Sequence, residues 1–192
     1  MSDSWDDYAD GWDTNPDVIA YSQLAFNSLQ KHITLSGLSI LDFGCGTGLL
    51  TEKLVNAGAH VVALDSSEKM IDALEGKSLN QVECYKAVLT DAFLLEHPDW
   101  INRFDLVVAS SVLAFVPDYD ACLSLLSKCL KTNGKLIHWD WLKHDDFGFD
   151  ETDIDHGFKA AQLKTIDINP NEFIMESEKG SMTVIKGFGE KI

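Results

Sequence analysis

Arginine is nearly missing from this chain. Of its 15 lysines and arginines only Arg103 is an arginine, against 31 aspartates and glutamates and a net charge of -16. Arginine is the side chain whose planar fork matches a phosphate. An acidic chain without it repels a polyphosphate backbone unless basic residues gather on one face, and here the lysines are scattered. No nucleic-acid partner is expected. No run of 18 apolar residues occurs, so no membrane partner is expected through a spanning helix. The segment Met1-Ser2-Asp3-Ser4-Trp5-Asp6-Asp7 has neither the basic nor the apolar part of a secretion signal, which predicts a cytoplasmic protein. Cysteine is sparse too. Cys45, Cys84, Cys122 and Cys129 form no C-x-x-C pair and sit in apolar or glycine-rich settings, which predicts buried, reduced thiols.

Metal-binding patterns are also lacking. Residues 145–155 hold six acids, but Asp153-Ile154-Asp155-His156-Gly157 puts glycine at the fifth place where a calcium loop needs it sixth. His138 and His144 have no cysteine or third histidine at ligand spacing. No metal is expected.

What is present is an alternation of strand and helix patterns, which predicts a parallel α/β sheet. Thr14-Asn15-Pro16 starts a helix that fades before Gly37. Strands are predicted over about 39–43, 60–64, 81–86, 104–110 and 135–141. The helices between them run over about 48–57, from Ser66 or Ser67 through Leu74, and about 118–131. A helix near 153–162 follows, then strand-like sequence at 163–168. Asn169-Pro170-Asn171 reads as a turn before more strand-like sequence at 173–175 and, after Gly180, at 181–187. A strand that follows another directly cannot be a parallel crossover, so the chain should end in an antiparallel hairpin.

The first strand runs into Asp42-Phe43-Gly44-Cys45-Gly46-Thr47-Gly48, with glycine at alternate positions. Glycine lets a backbone turn sharply and approach a ligand closely, and the helix start beyond it offers free N–H groups. A dinucleotide fingerprint would place its third glycine at position 49, which is Leu49. The second strand ends in Asp65, where a carboxylate can accept from two ribose hydroxyls.

These residues resemble motif I of the class I S-adenosylmethionine-dependent methyltransferases, of the small-molecule, type 11-like kind. The resemblance covers roughly residues 39–187. It implies a Rossmann-like, seven-stranded sheet of five parallel strands plus a C-terminal antiparallel hairpin, with helices on both faces. It implies one domain over 1–192, in which 1–36 form an N-terminal lid and helix and 37–192 the cofactor-binding core. S-adenosylmethionine would be the cofactor and S-adenosylhomocysteine its product. Cofactor-binding residues implied are Asp42, Gly44, Cys45, Gly46, Gly48, Asp65, Ser66, Met70, Asp91, Ala92 and Ser110. Asp42 would hold the loop and reach the cofactor amino group, Asp65 the ribose and Asp91 the adenine. Asp91 also suits a helix cap.

Trp5 to Asp13 carries two tryptophans and a tyrosine among acids and resembles the aromatic lid of small-molecule members. Tyr8, Trp12, His138 and Trp141 are the substrate-pocket candidates. His138 also suits a packed interior histidine. Aromatic faces near Asp145 would suit a cationic amine. Relatives place a histidine pair where this chain has Ala114-Phe115, so no catalytic base is assigned. The expected partner is a small-molecule methyl acceptor. A protein methyltransferase acting on a basic partner, and a non-catalytic S-adenosylmethionine-binding protein, share the same features.

Overall fold

The protein is described here by a computed structural model covering residues 5–177 and 180–192. Met1 to Ser4, part of the segment read for a secretion signal, lie outside the described residues. The chain divides into two compact units, Met1–Val88 and Leu89–Ile192.

In the first unit Asn15 caps α1 (Pro16–Gln30), its side chain accepting from the Asp17 N–H at 3.0 Å, with Pro16 in the first turn where no N–H is needed. Then come β1 (Ser39–Phe43), α2 (Leu49–Asn56), β2 (His60–Asp65), α3 (Glu68–Gly76) and β3 (Val82–Lys86). β1 pairs in parallel with β2, and β2 with β3. The β-branched and leucine-rich runs of β1 and β2 are buried from Ile40 to Phe43 and from Val61 to Leu64, as strands covered on both faces must be. Of the two serines proposed to cap α3 it is Ser67 that does so, its hydroxyl accepting from the Met70 N–H at 3.2 Å.

The second unit holds α4 (Asp91–Glu96), β4 (Phe104–Ser110), α5 (Tyr119–Cys129), β5 (Leu130–Trp141), α6 (Glu151–Ala160), β6 (Leu163–Ser177) and β7 (Gly180–Lys191). β4 and β5 are parallel, and β7 is antiparallel to both β5 and β6. The strand order is β3-β2-β1 in the first unit and β4-β5-β7-β6 in the second, which gives the expected seven-stranded sheet of five parallel strands and a C-terminal antiparallel hairpin.

Four local expectations change, the last at the start of α6. Thr90, not Asp91, caps α4, its hydroxyl accepting from the Phe93 N–H at 3.1 Å. β5 begins at Leu130, directly after α5, rather than beyond Asn133-Gly134. Asn169-Pro170-Asn171 is not a turn between strands. It lies inside β6 as a bulge, where the pairing to β7 shifts between Asn169 and Phe173. β6 is the end strand of the order, so a proline without an N–H is tolerated there.

α6 starts at Glu151, earlier than the sequence pattern suggested, because Asp150 and Asp153 form a reciprocal capping box at 2.9 and 3.0 Å. Asp150→Ala should cost about 1 kcal/mol. Thermal denaturation should show that as a fall of roughly 2–4 °C in Tm.

Candidate cofactor site

The loop from β1 to α2 turns on three glycines with positive φ: Gly44 at 70°, Gly46 at 55° and Gly48 at 84°. Gly44 and Cys45 donate their N–H groups to the Leu64 carbonyl at 2.8 and 3.2 Å, pinning the loop to the end of β2. The next two glycines serve different ends. A Cβ on Gly48 would lie 2.3 Å from Leu74 Cδ1, so this glycine admits the packing of α3. A Cβ on Gly46 would meet nothing closer than Trp12 Nε1 at 3.6 Å and Met70 Sδ at 3.9 Å, two side chains at van der Waals distance that border a cradle over the bare backbone.

Asp65 ties this loop to the next. Its Oδ2 accepts from the Gly46 N–H and its Oδ1 from the Ser67 N–H, each at 2.9 Å. An ionised carboxylate has about four acceptor positions, so both oxygens keep capacity for hydroxyl groups. Ser66, between them, is exposed, and Met70 is buried below the loop. Asp42 lies under the loop, 1 % exposed, with the Thr51 hydroxyl donating to its Oδ2 at 2.6 Å. Burial pushes its carboxyl up to about 7, against the opposing Thr51 hydrogen bond and with a further push from the charge of Asp65. Cys45 is buried beside it, and burial lifts its thiol well above the usual range.

The N-terminal aromatic segment lies against the same loops. Two short 3-10 turns, Trp5–Asp7 and Trp12–Thr14, bring Trp12 to Gly46, as above. Asp13 accepts from the Thr47 hydroxyl and pairs with Lys77 at 2.9 Å. Asp6 accepts from the Ser67 hydroxyl and from the Lys69 N–H at 3.3 Å. Those two hydrogen bonds, the Ser67 one first, hold its carboxyl below the usual range. Tyr8 is 45 % exposed and 5.8 Å from Trp5, ring to ring. The first unit thus brings together Asp42, Gly44, Cys45, Gly46, Gly48, Asp65, Ser66, Met70 and Trp12. The sequence reading missed Thr47, Ser67 and Lys77 as their anchoring partners, because nothing local marks a hydroxyl or an ammonium as the mate of a distant carboxylate.

The other expected residues belong to the second unit. Asp91 is exposed and ion-paired with Lys128 at 2.7 Å, Ala92 is exposed, and Ser110 ends β4 half-buried. Ser111 follows with φ 55° and donates its N–H to the Trp139 carbonyl at 2.7 Å. His138 is wholly buried, the packed interior setting: its Nε2 lies 3.2 Å from the Tyr119 hydroxyl and its Nδ1 3.5 Å from Asp140 Oδ2. It is closed off from solvent. Asp140, also missed from sequence, is equally buried. Burial raises its carboxyl, with His138 opposing, and its Oδ1 accepts from the Ala114 N–H at 3.3 Å. Trp141 is half-buried. Asp145, proposed beside it as an amine partner, instead pairs with His144 at 3.0 Å, both well exposed.

A methyltransferase-domain family matches residues 41–136, half of the chain. The span includes the glycine loop, Asp65 and β4, and the chain belongs to this family, within the class I S-adenosylmethionine-dependent methyltransferases. A ubiquinone biosynthesis O-methyltransferase of Xylella fastidiosa is 33 % identical over 121 residues, 62 % of this chain and 48 % of that protein. The namesake from Coxiella burnetii is 33 % identical over 109 residues, 57 % of this chain and 46 % of its own. The chain thus spans about half the length of these relatives.

Among solved structures, a chain from the Haloferax volcanii complex between the Trm112 methyltransferase activator and a methyltransferase superposes with a TM-score of 0.83. It covers 99 % of this chain and 98 % of that one at 13 % identity. Magnesium protoporphyrin IX methyltransferase from Synechocystis PCC 6803, solved with bound S-adenosylmethionine, gives 0.69 at 20 % identity, over 92 % of this chain and 80 % of its own. At these identities the likeness concerns the fold.

Proposed function

We propose that this chain, read as one domain over 1–192, transfers the methyl group of S-adenosylmethionine to a small-molecule acceptor in the cytoplasm. The observation that carries the reading is the Gly46 cradle, closed on one side by Asp65, in a chain of the methyltransferase family. A β-carbon at position 46 would fill the space that a cofactor backbone needs, so the residues present fit the group.

When bound, the cofactor supplies a methyl group already activated on a sulfonium centre. Gly44, Cys45, Gly46 and Gly48 line its methionine portion with backbone rather than side chains. Asp65 accepts from the two ribose hydroxyls, with Ser66 beside it, and Met70 floors the cradle. Asp42, once ionised, faces the amino group. Asp91 and Ala92 are kept for the adenine, and Ser110 for the cofactor side of β4, on the resemblance alone. The chain's work is then orientation and exclusion of water, to which the N-terminal aromatics contribute as a cover. The acceptor is taken to be small by likeness to the ubiquinone biosynthesis O-methyltransferases.

The test is thermal unfolding with S-adenosylmethionine, S-adenosylhomocysteine and NAD in parallel. A ligand at 100 times its Kd stabilises by about 2.7 kcal/mol. For a chain of this size that is a Tm rise of roughly 5–11 °C. The first two ligands should give it, and Asp65→Ala should abolish it. A rise with NAD alone would overturn the reading. Release of S-adenosylhomocysteine in the presence of a metabolite panel, set against a cell-extract protein fraction, then separates a small acceptor from a protein one.

A further inference from the structure

We propose that Asp13 and Lys77 form a latch that sets how fast the cofactor enters and leaves, without setting how tightly it binds. The proposal rests on the cofactor reading above.

No residue of either 3-10 turn is buried, Trp5 and Tyr8 are 36 % and 45 % exposed, and the ring of Trp5 meets that of Trp12 edge-on at 6.4 Å. Polar contacts fasten the segment at both of its ends. At one end the Asp6 carboxylate takes the Ser67 hydroxyl and the Lys69 N–H at the start of α3. At the other, Asp13 stands between the Thr47 hydroxyl and the Lys77 ammonium. Thr47 is 2 % exposed and sits between Gly46 and Gly48, so the Asp13 end is fastened to the glycine loop itself. Lys77 follows α3 and is largely covered, 18 % exposed in its side chain. Gly11, with φ 82°, lies just before the Asp13 end and gives the backbone a place to swing.

Fastened in this way, Trp12 stands 3.6 Å from the Cβ position of Gly46, across the cradle assigned to the methionine portion. Entry and exit then both require this end to lift. Asp13 bonds to Lys77 and to the Thr47 hydroxyl, and none of these three side chains is among those assigned to the cofactor. Weakening these bonds raises the open fraction in the free and the loaded protein alike. Association and dissociation rates rise by the same factor, and their ratio stays put. A residue that touches the ligand behaves differently, because its loss appears mainly in the dissociation rate.

The experiment is stopped-flow tryptophan fluorescence of S-adenosylhomocysteine binding and of its displacement by excess S-adenosylmethionine. It compares the wild type with Lys77→Met, Asp13→Asn, and the exchanged pair Asp13→Lys with Lys77→Asp. The single variants should raise both rates about five- to tenfold with Kd changed less than twofold, and the exchanged pair should return both toward wild type. Hydrogen exchange should accelerate over residues 12–15 and not in β1 or β2, which shows that the variants remain folded. A rise in the dissociation rate alone, or no change in either rate, overturns the latch. A wild type that binds neither ligand shows instead that the cofactor reading has failed, and the latch falls with it.

Discussion

Taking the pH from 7.5 to 5.5 should weaken S-adenosylmethionine binding about 25-fold, with Asp42 as the cause. Its carboxyl is buried beneath the glycine loop and titrates at about 7. The cofactor's amino group stays mostly protonated across this interval, since an α-amino group ordinarily loses its proton near 8. A cation facing Asp42 needs the carboxylate, and the ionised fraction falls by about that factor between the two pH values. Isothermal titration at several pH values, in buffers of different ionisation enthalpy, should show both the loss of affinity and a proton released on binding near neutrality. Asp42→Asn should bind weakly at every pH, with a flat profile. An affinity that changes less than twofold in the wild type would falsify the assignment.

The same carboxyl has an opposite effect on the free protein. Its pKa is raised on folding, so folding favours its protonated form. That stabilisation is complete below the ordinary carboxylate value and is lost as the pH rises through about 7. The whole effect is about 4 kcal/mol. The ligand-free protein therefore carries a stability cost at neutral pH that a bound cation offsets.

Two glycines separated by a single residue should fail in different ways. Gly48→Ala should destabilise by about 3 kcal/mol, a Tm fall of roughly 6–12 °C, because it adds a left-handed φ penalty to an overlap with Leu74. Leu74 is 1 % exposed and has little room to retreat. In a Leu74→Ala background the extra cost of Gly48→Ala should shrink, since the overlap is gone. Gly46→Ala meets no atom closer than 3.6 Å, so it carries only the backbone penalty, about 1–2 kcal/mol. Its larger loss should be in S-adenosylmethionine affinity, at least tenfold, because the new methyl fills the cradle. Thermal melts with and without cofactor read both variants. Equal losses of stability, with affinity intact in Gly46→Ala, would contradict the division of labour.

The glycine loop was legible in the sequence because three positive φ values within five residues leave few alternatives to glycine. Asp65 was legible because the end of a parallel strand is where this kind of sheet exposes polar groups. The anchors of the N-terminal segment were not. Asp13 and Thr47 are 34 residues apart, and Asp6 and Ser67 are 61 apart, so no local pattern links them. Asn169-Pro170-Asn171 misled for a related reason. Its local preference for a turn is real, but pairing along β7 on both sides of it absorbs the extra residues as a bulge. His138 could be placed on a strand but not on a face, because a strand covered on both sides has no polar alternation to read.

The four cysteines give the chain an internal clock. Burial pushes Cys122 and Cys129 up to about 12 and Cys45 higher than its usual value, while Cys84 is raised but only half-buried. Alkylating reagents consume thiolate, so Cys84 should label first and the rest only as fast as their surroundings open. Cys45 sits within the glycine loop, so its labelling rate counts the openings of that loop. A cofactor held in the cradle should slow that one thiol and leave Cys122 and Cys129 at their own pace, which makes a simple alkylation series a readout of occupancy residue by residue.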